Sequence, residues 1–185
     1  MAELTERRTR TKDRPVACKR IPAMKKLRFR LGDWRKRAVV DTVGTILDSK
    51  GRDAVSISPG ATVYEAIAEM ARTEVGALLV LEGSELVGIV SERDYARKVI
   101  LRGRSSRETL VREIMTPSPI TVTLSHTVDE CMRIMTHRCI RHLPVVDGGE
   151  VKGVVSIGDL VKTIISSQAY TIEQLRTYIR AGYPA

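Results

Sequence analysis

Two short motifs in this chain combine a hydroxyl and a carboxylate at the same spacing. They are Ser91-Glu-Arg-Asp94 and Ser156-Ile-Gly-Asp159, and each stands where a predicted helix begins. The spacing is that of a capping box, in which the serine and the aspartate bond to backbone N–H groups of the first turn. A helix N-terminus also favours anions, which suits the aspartate at this position. Taken alone, the motif favours the capping interpretation.

A second group of residues could bind an anion. Arg141 and His142 begin a predicted strand and could simply be solvated, but arginine suits phosphate because it donates two hydrogen bonds at once. Arg93, Arg97 and Lys98 lie on a predicted helix and could add phosphate contacts, although such charges usually only face water.

Other chemistry is poorly represented. His137, Cys139 and His142 supply three possible ligands, but they run from a helix end into a strand and lack a fourth member, so we predict no metal site. We find no nucleophile with an adjacent base and no phosphate-binding glycine loop followed by lysine. We therefore predict that the protein is not an enzyme.

The charge of +9 is unevenly distributed. Residues 1–37 hold 14 Lys and Arg against four acidic residues, whereas the whole chain holds 31 and 22. The remainder is near neutral, so any nucleic-acid contact should come through this tail, which we expect to be disordered. The three cysteines lack CxxC spacing, which favours a cytoplasmic location. No apolar run is long enough for a membrane span, so we predict no membrane contact. Organellar import guided by the Arg-rich tail is the alternative location.

An internal repeat organises the rest. Residues 55–101 align with residues 120–166 without a gap and are identical at 13 of 47 positions. Such self-similarity indicates a duplicated supersecondary unit. Arg141 and His142 break the repeat, because their counterparts are Gly76 and Ala77.

Each repeat predicts the same elements. A leading helix (43–47 or 111–115) precedes a short strand (55–58 or 120–123) and a helix that opens with a capping box and ends near residue 73 or 138. A β-hairpin follows (75–90 or 140–155), and a helix beginning at Ser91 or Ser156 closes the unit. Residues 171–179 predict a further amphipathic helix that could pack at a dimer interface.

Four segments now point to a family. GIVSERDYARKVI (88–100), REIMT (112–116), IRHLPVVDGG (140–149) and GVVSIGDLVKTII (153–165) resemble the defining segments of CBS domains. The resemblance implies an α/β (α+β) fold of two tandem CBS domains, each a small sheet with flanking helices, packed about a pseudo-twofold axis. The expected divisions are a tail (1–37), CBS domain 1 (42–103), CBS domain 2 (110–168) and a C-terminal helical segment (169–185).

The resemblance also implies a ligand. Paired CBS domains often bind AMP, ADP, ATP, NAD or, less expected here, S-adenosylmethionine. The aspartate of the motif would accept hydrogen bonds from both ribose hydroxyls, beside the serine, and strand residues would meet the adenine. The implied contacts are Asp94, Asp159, Ser91 and Ser156 to ribose; Ser56, Ile57, Thr121 and Val122 to adenine; Leu143 and Pro144 as walls; and Arg141, His142 and Arg93 to phosphate.

Two functions follow from these observations. The first is a homodimeric module that senses an adenine nucleotide, needs no cofactor, has two unequal sites and regulates an unknown partner protein. The alternative is a dimerising scaffold that uses residues 1–37 to bind nucleic acid or an acidic surface. Ordinary core packing is the competing explanation for Leu143 and Pro144, and ordinary strand structure for Ser56, Ile57, Thr121 and Val122.

Overall fold

The computed structural model describes residues 41–180. The tail predicted at residues 1–37 lies outside this range. The elements follow in the order α1 (Val43–Lys50), β1 (Ser56–Ile57), α2 (Val63–Thr73), β2 (Ala77–Glu82), β3 (Glu85–Ser91), α3 (Glu92–Lys98), a 3₁₀ turn (Ile100–Arg102), α4 (Val111–Ile114), β4 (Thr116–Pro117), α5 (Val128–Arg138), β5 (His142–Asp147), β6 (Glu150–Ser156) and α6 (Ile157–Arg180).

The strands form two small sheets with helices around them. One has the order β1-β2-β3-β4, with β1 parallel to β2 and the other pairs antiparallel; the second contains the hairpin β5-β6. The predicted mixed α/β fold is therefore confirmed. The strand predicted at residues 120–123 is reduced to one parallel bridge between Val122 and Val145, and the pairing of β4 with β3 was not predicted.

Capping explains where the two amphipathic helices begin and end. Thr62 and Thr127 accept hydrogen bonds from the backbone N–H groups of Glu65 and Glu130, whose carboxylates bond back to the threonine N–H groups. Both helices end at a residue in the left-handed conformation that commonly terminates helices. The predicted ends near residues 73 and 138 agree with Thr73 and Arg138.

Each leading helix packs in the core of the other repeat. Val43, Ile46 and Leu47 of α1 are buried among second-repeat residues such as Leu143, whereas α4 is buried in the first-repeat core. Each leading helix also makes an equivalent backbone hydrogen bond to the opposite repeat. Val43 N–H donates to His126 C=O at 2.8 Å, and Val111 N–H donates to Ala61 C=O at 2.9 Å.

A glycine at the same position of each hairpin, Gly88 or Gly153, leaves room for the leading helix of the other repeat. A Cβ at Gly88 would lie 2.6 Å from Met115 Sδ, next to α4, and a Cβ at Gly153 would lie 3.0 Å from Leu47 Cδ2 on α1. Gly153 also has a φ of +152°, which disfavours other residues. Only a bare backbone lets each leading helix approach the strand of the opposite repeat this closely.

The predicted C-terminal helix is not separate. Helix α6 runs unbroken from Ile157 to Arg180, so the closing helix of the second repeat and the amphipathic segment at 171–179 are one element. The chain from 157 to 180 contains Gly158 but no proline, and nothing interrupts the helix after its first turn.

Candidate functional site

A cavity of about 350 Å³ lies where the two repeats meet. The first repeat contributes Ser91 and Asp94 from the β3–α3 junction, and the second contributes Arg141 and His142 from the start of β5. The remaining lining residues are Ile89, Arg93, Arg97, Lys98, Thr116, Ser118, Pro119, Ile120, Cys139 and Ile140. We call this the Asp94 cavity.

The motif at its floor is a capping box. Ser91 N–H donates to Asp94 Oδ2 at 3.1 Å, Ser91 Oγ donates to the same oxygen at 2.6 Å, and Asp94 N–H donates to Ser91 Oγ at 3.4 Å. Lys98 Nζ lies 2.8 Å from Asp94 Oδ1 and also donates to Ile114 C=O. The capping interpretation is correct, and it leaves the carboxylate facing a cavity that a ligand can enter.

Positive charge dominates the Asp94 cavity. Arg93, Arg97, Lys98 and Arg141 line it beside the single carboxylate of Asp94. Arg93 Nη1 donates to Cys139 C=O at 3.0 Å, which joins α3 to the opposite repeat. Such an arrangement suits a ligand with a polar neutral part and an anionic part.

The surroundings of His142 disfavour the charged imidazolium form. Burial of the imidazole, reinforced by the neighbouring charge of Arg141, lowers the pKa of His142 below its usual value of 6.5. The ring also lines the second cavity described below, so this one side chain borders both sites. A neutral imidazole can donate and accept hydrogen bonds at the boundary between them.

The second cavity, of about 290 Å³, occupies the equivalent position around Asp159. Ser156 N–H and Oγ donate to Asp159 Oδ2 at 2.8 and 2.9 Å, and Lys50 Nζ of α1 lies 2.7 Å from the same oxygen. Burial, the largest single effect, raises the pKa of Asp159, but the donors from Lys50 and Ser156 outweigh it and leave this pKa below its usual value. The other lining residues are Asp53, Ala54, Val55, Glu74, Val75, Gly76, Ala77, His142 and Val154.

The two cavities differ in charge. The Asp159 cavity holds Lys50 against three carboxylates, those of Asp53, Glu74 and Asp159. At the repeat position of Glu74 the Asp94 cavity has Cys139, and at that of Gly76 it has Arg141; no carboxylate of the Asp94 cavity takes the place of Asp53. Anionic ligands are therefore favoured in the Asp94 cavity.

Six predicted residues lie elsewhere. Leu143 is fully buried in the core, as the packing explanation requires, and Pro144 beside it is buried, with its C=O accepting from Val122 N–H at 3.0 Å. Val122 is also core. The structure places Ser56, Ile57 and Thr121 outside both cavities as well.

The apolar walls come instead from residues that sequence reasoning missed. Ile89, Pro119 and Ile120 line the Asp94 cavity, and Val154, Ala54 and Val55 line the other. Four of them lie one or two residues before a predicted adenine contact, and the other two, Ile89 and Val154, lie two residues before a motif serine. Residue type does not reveal which of two adjacent strand residues faces a cavity, because the register of the sheet decides it. Within residues 41–180 no group of three or more potential ligands could hold a metal ion.

Comparisons with known proteins agree with this architecture. The family model for the CBS domain matches residues 43–100 and 111–166. The chain therefore belongs to the CBS-domain family. It is 40% identical over 151 residues to the CBS domain-containing protein CBSX3, mitochondrial, of Arabidopsis thaliana, a match that covers 77% of this chain and 73% of that protein.

Two solved structures share the fold. A protein with CBS domains from Burkholderia ambifaria is 51% identical with a TM-score of 0.67, over 69% of this chain and 96% of that chain. CBSX2, solved in complex with AMP, is 25% identical with a TM-score of 0.57, over 69% of this chain and 98% of that chain. Within the described part of this chain, no helix is both long and apolar enough to span a membrane.

Proposed function

We propose that this protein is a non-enzymatic regulatory module that binds an adenine nucleotide in the Asp94 cavity and signals its occupancy to a partner protein. The observation that carries the proposal is the meeting of Asp94 from one repeat with Arg141 and His142 from the other around one cavity. A ligand held there contacts both repeats, so its binding can favour one arrangement of the two repeats over another. The AMP complex of the related CBSX2 supports the choice of ligand.

The chemistry of the lining suggests how the nucleotide lies. The two oxygens of the Asp94 carboxylate can accept hydrogen bonds from the two ribose hydroxyls. Ile89, Pro119 and Ile120 offer an apolar surface to the adenine. Arg93, Arg97 and Arg141 would then meet the phosphates, which AMP, ADP, ATP and NAD all carry.

The Asp159 cavity is proposed as the weaker site. Its three carboxylates, those of Asp53, Glu74 and Asp159, would repel phosphate, whereas the Asp94 cavity has one carboxylate among four basic side chains. We therefore expect one nucleotide per chain at moderate concentration. Leu143, Pro144, Ser56, Ile57, Thr121 and Val122 are left out of the proposed contacts because they line neither cavity.

Calorimetric titration with AMP, ADP, ATP, NAD and S-adenosylmethionine tests the proposal. Asp94→Asn should weaken binding about tenfold or more because the amide loses one acceptor and the charge, whereas the matched variant Asp159→Asn should leave the tight site intact. A saturating nucleotide should also raise the midpoint of thermal unfolding by about 5–10 °C. Absence of binding by every compound, or loss through Asp159→Asn alone, would overturn the proposal.

A second function is favoured by the charge of the tail. With 14 Lys and Arg in residues 1–37, the chain could act as a scaffold that binds nucleic acid or an acidic surface. Deleting residues 1–37 should then abolish binding to a DNA or RNA duplex, and the affinity of the full chain should fall steeply with salt. Nucleotide binding in the Asp94 cavity should survive the deletion.

Homodimerisation and a cytoplasmic location complete the proposed function. The name of the Arabidopsis relative includes the word mitochondrial, so import guided by the Arg-rich tail is the alternative to test. A fusion of residues 1–40 to a fluorescent protein that stays in the cytoplasm supports our location, and its accumulation in an organelle contradicts it.

A further inference from the structure

The outer face of helix α6 carries a row of aliphatic side chains. Leu160 and Ile164 turn inward and pack against the core of the second repeat. All residues from Ile165 to Arg180 are exposed, among them Ile172 and Leu175. The last contact of the helix with the protein body that we identify is the hydrogen bond from Ser167 Oγ to Asp41 Oδ2, and the helix continues for about three and a half turns beyond it.

The exposed row has a regular spacing. Its members follow one another at alternate intervals of four and three residues, and their exposed fractions are 42% for Val161, 61% for Ile165, 51% for Ile172, 56% for Leu175 and 75% for Ile179, with Gln168 as the polar member. This is the a/d spacing of a heptad, in which Ile165, Ile172 and Ile179 hold a positions. The stripe is narrow, as in a coiled coil, and not the broad face of a helix made for a groove or a bilayer.

We propose that this stripe, residues Val161, Ile165, Gln168, Ile172, Leu175 and Ile179, is a parallel two-stranded coiled-coil contact between two copies of the chain. β-Branched residues at a positions with leucine at d favour two parallel strands. Here all three a positions are isoleucine, and one of the three d positions, Leu175, is leucine. The proposal deepens the homodimer suggested above by naming its interface, and it is independent of nucleotide binding.

The flanking charges favour the parallel orientation. In the heptad frame Lys162 and Arg176 both occupy e positions. An antiparallel pair would bring Lys162 of one copy against Arg176 of the other, a contact between like charges. A parallel pair instead places Arg176 opposite Thr171 of the second copy, which carries no charge.

The available area sets the strength of the contact. Five aliphatic side chains from each helix would bury roughly 1,000 Å² in total. That is slightly below the ~1,200 Å² at which stable interfaces begin. We expect a dimer that dissociates on dilution.

Sedimentation equilibrium of the full chain over a broad concentration range tests the interface. Ile172→Glu/Leu175→Glu keeps good helix formers but should weaken dimerisation at least about tenfold. The control Tyr170→Glu/Thr177→Glu adds the same charges to exposed positions of the same helix outside the stripe and should leave the dimer unchanged. Circular dichroism checks that both variants fold.

The outcomes separate the proposals. A chain that stays monomeric throughout overturns the interface, and so does a dimer that the Ile172→Glu/Leu175→Glu variant leaves intact; the second result would still allow a homodimer built on another surface. Neither result affects the calorimetric test of nucleotide binding.

A crosslink tests the orientation. Gln168→Cys introduces a thiol at a d position without removing an apolar side chain. In a parallel pair this cysteine faces the cysteine at position 168 of the second chain. Oxidation should give a 168–168 disulfide, identified by peptide mass spectrometry. Crosslinking only between mixed Gln168→Cys and Ile172→Cys chains would indicate antiparallel helices and overturn the parallel assignment.

Discussion

Lys50 Nζ lies 2.7 Å from Asp159 Oδ2, and the two residues are 109 positions apart in the chain. This ion pair links the end of α1 to the start of α6 at the edge of the Asp159 cavity. Asp94 also has a lysine partner, but that residue, Lys98, lies on the same helix as Asp94. The Lys50–Asp159 pair therefore depends on the packing of α1 against the second repeat.

Replacing Lys50 should change how steeply the free energy of unfolding falls at acidic pH. Hydrogen bonds and charge hold the pKa of Asp159 below its usual value of 3.8, so the pair stabilises the fold above that value, and this contribution is lost as pH falls through the depressed folded pKa. We expect Lys50→Met to lose stability at neutral pH and to show a shallower decline from about pH 5 downward.

Thermal unfolding between acidic and neutral pH measures the effect of Lys50→Met. Since both side chains are partly exposed, at 36% and 24%, the difference should be small. Arg52→Met, which removes an exposed pair with Asp48, serves as the control. Parallel acid limbs for the wild type and Lys50→Met would contradict the prediction.

His142 should titrate at unusually low pH. Burial first and Arg141 second lower its pKa below 6.5, so the folded state binds fewer protons than the unfolded chain, and stability declines as pH falls below that value. Histidine NMR should show this low pKa in the wild type and a higher one in Arg141→Gln. Addition of AMP should raise it too, because phosphate charge favours imidazolium. A pKa at or above 6.5 in the free protein would refute the assignment.

Truncating Leu47 should unfold the second repeat more than the first. The side chain is fully buried among second-repeat core residues, and Leu47→Ala should cost about 2–5 kcal/mol in the free energy of unfolding. Leu101→Ala, at a position that is 79% exposed, should cost under about 0.5 kcal/mol. Urea denaturation gives both values.

Hydrogen exchange locates the damage. In Leu47→Ala we expect the loss of protection to be greatest in β5 and β6, although Leu47 precedes β1 in the chain. Greater loss in β2 and β3 would show that α1 belongs to the first-repeat core.

Adding one methyl group at Gly153 should be costly. The new Cβ would lie 3.0 Å from Leu47 Cδ2, and the backbone φ of +152° disfavours alanine, so Gly153→Ala should destabilise the protein by about 1–3 kcal/mol. Gly60→Ala is the matched control, because a Cβ at Gly60 would have Ser58 Oγ as its nearest neighbour, at 3.8 Å. Equal unfolding midpoints for the two variants would disprove the close approach.

Local signals account for the parts of the fold that the sequence predicts well. The capping boxes at Thr62 and Thr127 define helix starts, and the hairpins follow from alternating apolar runs around Gly83 and Gly148. Long-range packing accounts for the rest. The exchange of α1 and α4 between cores leaves no trace in spacing, since both helices remain next to their own repeats in the chain.

The candidate site divides in the same way. Asp94, Arg141 and His142 could be selected because the motif recurs and the repeat is broken at residues 141 and 142. Lys50 could not, because its partner is set by the helix exchange. Asp53 and Glu74 belong to no motif, and only the fold brings them to the cavity that Asp159 lines.

The exchanged helices also bear on how such a chain can arise. A single repeat would carry one apolar helix without a place to bury it and one hydrophobic groove without a helix. Two identical repeats satisfy each other, so an unlinked ancestor would have been stable only in pairs. Joining the copies through residues 104–109 replaces a concentration-dependent association with a fixed local concentration. Neither copy can then be deleted without exposing the core of the other.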